Sequence, residues 1–288
     1  MRFLRTPIAM RFCLVPVIIL LSAAGVEAQL MLPGALPPVG RPGKAVAKKP
    51  PGASLAPKEK KAAATPIKLP AEEAVIGRDL ALNGAHGRIE FARSADGLSI
   101  MRLTLDGDQI SRPDDSCRVD VVAGSPISAK PLGHPLGMNR FQVALEACPF
   151  NFDVLDGAIL VNPLPQACIM KAADCKVDPA GLWGPRAASL GAERIKEIER
   201  GRQRTEATMR DNFRALLVRT SGRAAVKAVA SEQAGFSSAR TTICRDYARE
   251  DVHGFCALRI TEARAITLHA AIGESSVDEK PEHKKKRK

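Results

Sequence analysis

The chain has 288 residues, 45% hydrophobic and 26% charged, with a formal net charge of +12. This composition excludes a collagen, a multi-span membrane protein and a fully disordered chain. Aromatics are only 4%, with one Trp and one Tyr, which argues against stacking platforms for bases or sugars.

The N-terminus reads as an export signal. Arg2, Arg5 and Arg11 form a basic region, and Phe12 to Leu21 is an apolar run of about ten residues. That run is too short to span a bilayer, and no later stretch is long enough. Val26-Glu27-Ala28 is a small-x-small site, so cleavage is expected after Ala28 and the mature chain is expected to be periplasmic or secreted. The alternative is an uncleaved N-terminal anchor.

Residues 29–75 are rich in Pro, Ala, Gly and Lys, with eight basic and three acidic residues. Such a stretch buries too little apolar surface to offset its chain entropy and reads as a disordered linker. The C-terminal stretch 273–288, with six basic and four acidic residues, reads as a second disordered segment. Residues 76–272, with 26 basic and 23 acidic, are nearly balanced. The basic flanks are either solvated spacers or electrostatic attachments to an anionic envelope polymer or lipid headgroups. Behind an export signal, and without a basic face in the balanced part, nucleic acid is not an expected partner.

Residues 76–165 read as a β-rich domain. Gly87–Arg93 alternates, with Ile89 and Phe91 on one face, and the turn Ser94-Ala95-Asp96-Gly97 leads to Leu98–Leu105. Further strands are expected at Cys117–Val122, Ile127–Leu132, Arg140–Leu145 and Val154–Val161, the last interrupted by Asp156-Gly157. Short strands at this spacing suggest a small antiparallel sandwich or barrel. Asp106, Asp108, Asp114 and Asp115 cluster around a turn. They lack the fixed ligand positions of a calcium loop and read as turn residues. His134, inside Pro-Leu-Gly-His-Pro-Leu-Gly, has no identifiable partner and is expected in an exposed hairpin loop.

Residues 166–185 read as a Cys-containing connector, with Trp183 packing at the junction between modules. A helical module follows over 186–272. Its first helix runs from Pro185 to about Arg219 with a bend at Gly201, the second from about Ala224 to Glu250, and the third from about Phe255 to Ile272. Val226, Val229, Phe236, Ile243 and Tyr247 are core candidates of the second helix. The fold class is therefore α+β: a small antiparallel β-sandwich or barrel followed by an antiparallel helical hairpin or three-helix module.

With Cys13 removed by processing, Cys117, Cys148, Cys168, Cys175, Cys244 and Cys256 remain. An even number in an oxidising compartment predicts three disulfides, and no pair has the short spacing of a zinc site. Six cysteines allow 15 pairings. Nearest neighbours are expected to pair: Cys117–Cys148, Cys168–Cys175 and Cys244–Cys256. The last is the firmest, because the two residues flank the turn between the second and third helices. No cofactor or metal is expected, and no nucleophile elbow, zinc-protease helix or Cys–His signature is present. A carboxylate pair acting as in glycosidases is the remaining catalytic alternative.

The run Gln233-x-x-Phe236-x-x-x-Arg240-x-x-x-Cys244, then Cys256-x-x-x-x-Thr261-x-x-Arg264-x-x-x-Leu268, resembles the bacterial lysozyme-inhibitor LprI-like N-terminal domain family. Phe236 stands where that family usually has Trp. The resemblance covers about residues 186–272 and implies a secreted or envelope-anchored helical domain. One branch of the family inhibits c-type lysozyme, which makes a lysozyme-like protein a candidate partner. The spaced motif residues themselves read as packing residues. Lysozymes of this type are strongly basic, and like-signed partners associate slowly. A local acidic patch would be needed, and Asp246, Glu250 and Asp251 near the hairpin turn are the candidates for it.

The expected function is thus a non-catalytic envelope binding protein similar to lysozyme inhibitors. The alternative is an envelope structural or adaptor protein held by its basic linker on peptidoglycan, lipopolysaccharide or membrane headgroups.

Overall fold

The computed structural model describes residues 64–277 apart from 96 and 123. The stretch expected to be an export signal, most of the expected linker and most of the expected C-terminal tail lie outside the described residues. Eleven strands come first: β1 (Leu80–Leu82), β2 (His86–Ser94), β3 (Gly97–Gln109), β4 (Ser116–Asp120), β5 (Ile127–Pro131), β6 (Arg140–Val143), β7 (Phe150–Leu155), β8 (Ala158–Val161), β9 (Cys168–Met170), β10 (Cys175–Val177) and β11 (Gly181–Gly184). Four helices follow: α1 (Ala192–Arg219), α2 (Arg223–Cys244), the single turn α3 (Glu250–His253) and α4 (Phe255–Val277).

Eight strands close an antiparallel barrel in the order β1-β2-β3-β5-β6-β7-β8-β11, with β11 pairing back onto β1. Closure leaves no unpaired edge within the ring. The period-two pattern of β2 places Ile89 and Phe91 inside, as the sequence predicts. Phe152 lies at the centre, its ring centroid 5.4 Å from Phe141 and 5.3 Å from Phe91.

Strand β3 is longer than the barrel requires. Its first part pairs with β5, and its last part pairs with β4 on one side and β10 on the other. Strands β4, β10 and β9 thereby form an extension of the barrel wall. Gly107 permits this. A Cβ there would lie 2.1 Å from the Lys176 carbonyl oxygen, a backbone atom that cannot move aside.

Two of the three disulfides tie down this extension and differ from the expected pairing. Cys117 bonds Cys175, and Cys148 bonds Cys168. Strands β4 and β10 flank the same stretch of β3, so residues 58 apart in sequence become neighbours. Only Cys244–Cys256 pairs as its spacing suggested. Three disulfides fit an extracellular or periplasmic protein. No described helix is long and apolar enough to cross a membrane.

Two expected boundaries and one residue's expected place shift. The connector assigned to 166–185 contains β9, β10 and β11, and β11 completes the barrel. Trp183, expected at a junction, is buried in the barrel core, where its Nε1 donates to the Pro179 carbonyl at 2.8 Å. The linker assigned to 29–75 ends earlier, because residues 64–75 belong to the fold. Val75 is fully buried in the barrel core, and Ala64 and Ile67 pack between helices.

Segment 64–70 is held by Asn212 of α1. This residue is fully buried; its Oδ1 accepts from the Thr65 amide at 2.8 Å, and its Nδ2 donates to the Ala265 carbonyl at 3.4 Å. Asn212→Ala leaves the half-buried Thr65 amide without its acceptor, so a loss of about 1 kcal/mol or more is expected. Limited proteolysis should then find new cleavage between Ala64 and Pro70. An unchanged digestion pattern would refute the anchoring role.

Helix α4 is apolar around most of its circumference because it is covered on two sides. Phe255, Leu258 and Ile266 pack on the outward residues Leu155, Ala158 and Leu182 of β7, β8 and β11. Ala265, Leu268 and Ile272 pack on Met209, Ala215 and Leu216 of α1. The sheet there is buried on both faces, which explains the continuous apolar run of β8. Helix α1 is continuous through Gly201, where α4 approaches closely. Leu258 lies 3.3 Å from where a Cβ at Gly201 would be.

The second helix stops at Cys244 rather than Glu250, and α4 continues past Gly273 to Val277. Cys244 is the one buried residue of α2. Val226, Val229, Phe236 and Ile243, expected in the core, are only half-buried along a seam of three- and four-residue steps.

Candidate functional site

The motif residues come together at the seam between α2 and α4. Arg240 donates from Nη1 to Thr261 Oγ1 at 2.9 Å and reaches Glu206 of α1 at 3.4 Å. Its guanidinium lies over the Phe236 ring, 5.6 Å from the centroid. Thr261 is buried and donates to the Ala257 carbonyl one turn back. Arg264 donates from Nε to Gln233 Oε1 at 3.0 Å and pairs with Glu232, while Gln233 also approaches Met209 Sδ. Leu268 is buried in the core between α1 and α4. These six side chains face one another across helices. Their spacing serves helix packing.

The turn between α2 and α4 is built around Glu250. Its carboxylate accepts from the Cys256 and Ala257 amides at 2.9 and 2.8 Å, filling unsatisfied donors at the start of α4. Burial pushes its pKa up, against the pull of those amides. His253 accepts from the Phe255 amide at Nδ1, so its proton sits on Nε2, which donates to the Ala248 carbonyl. Tyr247 donates to the Pro185 carbonyl, and burial raises its pKa strongly. The acidic patch expected at Asp246, Glu250 and Asp251 is therefore not available as such. Glu250 is committed to the helix start, and exposed Asp246 and Asp251 alternate with exposed Arg245 and Arg249.

The sequence does not single out a second cluster, on the outer side of the barrel–helix junction. Asp156, in the β7–β8 turn, accepts from Arg259 Nη2 at 3.0 Å. Glu262, one turn along α4, accepts from Arg259 Nη1 at 2.6 Å. Arg259 is buried, stacks on Phe255 at 5.2 Å from the ring centroid, and has no partner at Nε. A cleft of about 320 Å³ opens beside them, lined also by Arg194, Glu197 and Arg204 of α1. A neighbouring cavity of about 400 Å³ shares Asp156 and Glu262 and is walled by Lys68 to Ala71. The Asp-Gly dipeptide carried only a turn signal in sequence. Its closeness to Arg259 depends on how α4 crosses the barrel.

Burial pushes the Glu262 carboxyl above its ordinary value and outweighs the attraction of Arg259. A raised folded pKa favours the folded state at low pH, an advantage lost as pH rises through the folded value. Wild type should therefore gain stability relative to Glu262→Gln as pH falls from 7 toward the ordinary carboxylate range. Melting temperatures of both proteins at pH 7 and pH 5 test this. A pH-independent difference would contradict it.

The barrel mouth has a larger pocket of about 670 Å³, lined by Leu82, His86, Asp106, Asp108, Ser116 and Arg118 among others. Asp106 accepts from Arg118 at 2.6 Å and from the Gly87 amide at 2.8 Å, and the Arg118 bond chiefly holds its pKa down. Asp115 pairs with Arg112. The acidic cluster thus braces strands and a turn. Among the described residues, no group of three or more His, Cys, Asp or Glu side chains could hold a metal ion.

These features define a disulfide-braced α+β protein: a closed eight-stranded barrel with a helical layer on one wall and a charged cleft at their junction. The chain matches no protein-family model, no curated protein and no solved structure.

Proposed function

We propose that this chain is a non-catalytic binding protein of the cell envelope, exported by cleavage after Ala28 and similar to the lysozyme-inhibitor LprI-like proteins. The supporting observation is the motif layer. Gln233, Phe236, Arg240, Thr261, Arg264 and Leu268 converge on the seam that the Cys244–Cys256 bridge closes. Because those residues are used internally, the partner is met elsewhere. The junction cleft is the best candidate. The side chains of Asp156 and Glu197, paired with Arg259 and Arg194, are still 57% and 54% exposed and offer a basic partner the acidic contact that the more buried Glu250 does not. Both cleft carboxylates beside Arg259 are tied to its guanidinium, which favours binding over proton transfer.

The oxidised chain should inhibit c-type lysozyme on bacterial cell walls saturably and stoichiometrically. Residues 64–277 alone should retain this inhibition. Asp156→Asn with Glu197→Gln should weaken it about tenfold, more at low salt than at high salt. No inhibition at roughly tens of micromolar would sink the reading.

A second reading, an envelope structural or adaptor protein held by its basic segments, is favoured by the charge distribution. The linker carries eight basic and three acidic residues against near balance in 76–272. Retention on peptidoglycan, lipopolysaccharide or membrane headgroups would then be lost without the linker and sensitive to salt.

A further inference from the structure

The β5–β6 hairpin ends in a loop that repeats Pro-Leu-Gly around a histidine, Pro131-Leu132-Gly133-His134-Pro135-Leu136-Gly137. Leu132 and Leu136 are 41% and 55% exposed. From Pro131 to Asn139 the sequence has no charged residue. Single exposed leucines are ordinary, but two on one uncharged loop are a concentrated apolar surface.

The loop is also held in shape. Leu132 donates to the Arg140 carbonyl at 2.8 Å, and Arg140 donates back to the Gly133 carbonyl at 3.0 Å. Leu136 has φ 57° and ψ 22°, a left-handed conformation unfavourable for a bulky side chain. Gly137 sits against Ile266 and Ala270 of α4, 3.0–3.1 Å from where its Cβ would be, and Met138 is buried behind it. The fold thus keeps a strained backbone that presents a leucine to the outside.

Two lysines stand near the same place, Lys68 on the wall of the cavity that also holds Glu73, Asp156 and Glu262. Lys130, at the foot of the loop, and Lys68 are exposed. Asn139 Nδ2, at the loop base, donates to the Pro70 carbonyl, so segment 64–70 reaches the loop. Leu69, beside Pro70, is 48% exposed. The sequence just before Ala64 carries Lys58, Lys60 and Lys61, and the basic tail follows α4, whose Ala270 touches the loop.

We propose that loop 131–137 is a membrane-contact element that inserts Leu132 and Leu136 into an anionic phospholipid surface, with Lys130 facing the headgroups. Short apolar insertions bind bilayers weakly by themselves and gain from nearby basic residues, and this juxtaposition supplies both signals. The inference rests on the second reading above, retention at the envelope, and names the surface.

The test is sedimentation of the chain 29–288 with phosphatidylcholine vesicles containing roughly one third phosphatidylglycerol. Salt-sensitive binding is expected, with little binding to pure phosphatidylcholine. Leu132→Asn with Leu136→Asn should lower the apparent affinity by about tenfold or more. Asn accepts the left-handed backbone, and an unchanged melting temperature will confirm folding. Leu132→Trp supplies a second readout, a blue shift of the new indole's emission on adding the anionic vesicles.

Equal binding by the double variant, or no blue shift, overturns the loop's role and leaves electrostatic retention standing. Sedimentation with peptidoglycan but not with the vesicles also overturns the proposal and spares the retention reading. Failure on both surfaces refutes that reading too. Loss of lysozyme inhibition by the double variant, with vesicle binding unchanged, would make the loop a protein-docking element and overturn the proposal.

Discussion

Exchanging Cys117 and Cys175 together for serine is expected to destabilise the protein by about 4 kcal/mol. The bridge spans 58 residues of sequence, and the loss of chain entropy in the unfolded state grows with the logarithm of that span. Domains of ordinary stability have about 5–15 kcal/mol in total, so this is a large fraction. On the same basis, Cys148–Cys168 and Cys244–Cys256, spanning 20 and 12 residues, contribute about 3 kcal/mol each. Full reduction should therefore unfold the chain at physiological temperature. Chemical denaturation of wild type and the double serine variant measures the first figure. Peptide mapping without reductant tests the connectivity: Cys148→Ser should free Cys168 and leave Cys117 bonded to Cys175. Release of the Cys117 thiol in that variant would overturn the pairing.

Arg140→Leu should cost about 3–5 kcal/mol, the usual result of removing one partner of a buried ion pair. Asp153 is 2% exposed and lies directly across from Arg140 on β7. The pair is bidentate, with Nε and Nη2 donating at 2.6 and 2.7 Å. Without the guanidinium, Asp153 is left charged beside apolar neighbours. Replacing both residues by leucine should restore much of the loss, because the penalty lies in the unpaired charge. Urea titration of the two single variants and the double variant gives the coupling directly. Near-additive losses would show that the pair contributes little.

Both effects arise in features that the sequence did not disclose. Arg140 reads as an ordinary polar position of an alternating strand, and Asp153 falls just before the next expected strand, Val154–Val161. Their pairing depends on register, and a one-residue slip would put them on opposite faces. The cysteines announced their number and their oxidation state, because an even count behind an expected export signal predicts disulfides. Their partners were not legible, since β3 brings β4 and β10 to the same place from distant parts of the chain. Short spacing identified only Cys244–Cys256, where one turn separates two helices.

The candidate site divides in the same way. The motif from Gln233 to Leu268 was readable because helical spacing places side chains three and four residues apart on one face. That they bond to one another across α2 and α4 became visible only in the packed helices. The cleft around Asp156, Arg259 and Glu262 had no sequence signal. Its members come from a hairpin turn and from a helix about a hundred residues later.

By itself the sequence determined the α+β class, the alternating strands from His86 onward, the helical C-terminal part and the concentration of basic residues outside 76–272. These follow from local periodicity, turn chemistry and composition, which depend on near neighbours alone. Tertiary structure decided that the barrel closes through β1 and β11, that residues 64–75 belong to the fold, and that Trp183 lies inside it. It also decided the cysteine partners and the buried charges. Each depends on a contact between residues far apart in the chain, where the free energy comes from burying a specific surface or pairing a specific charge.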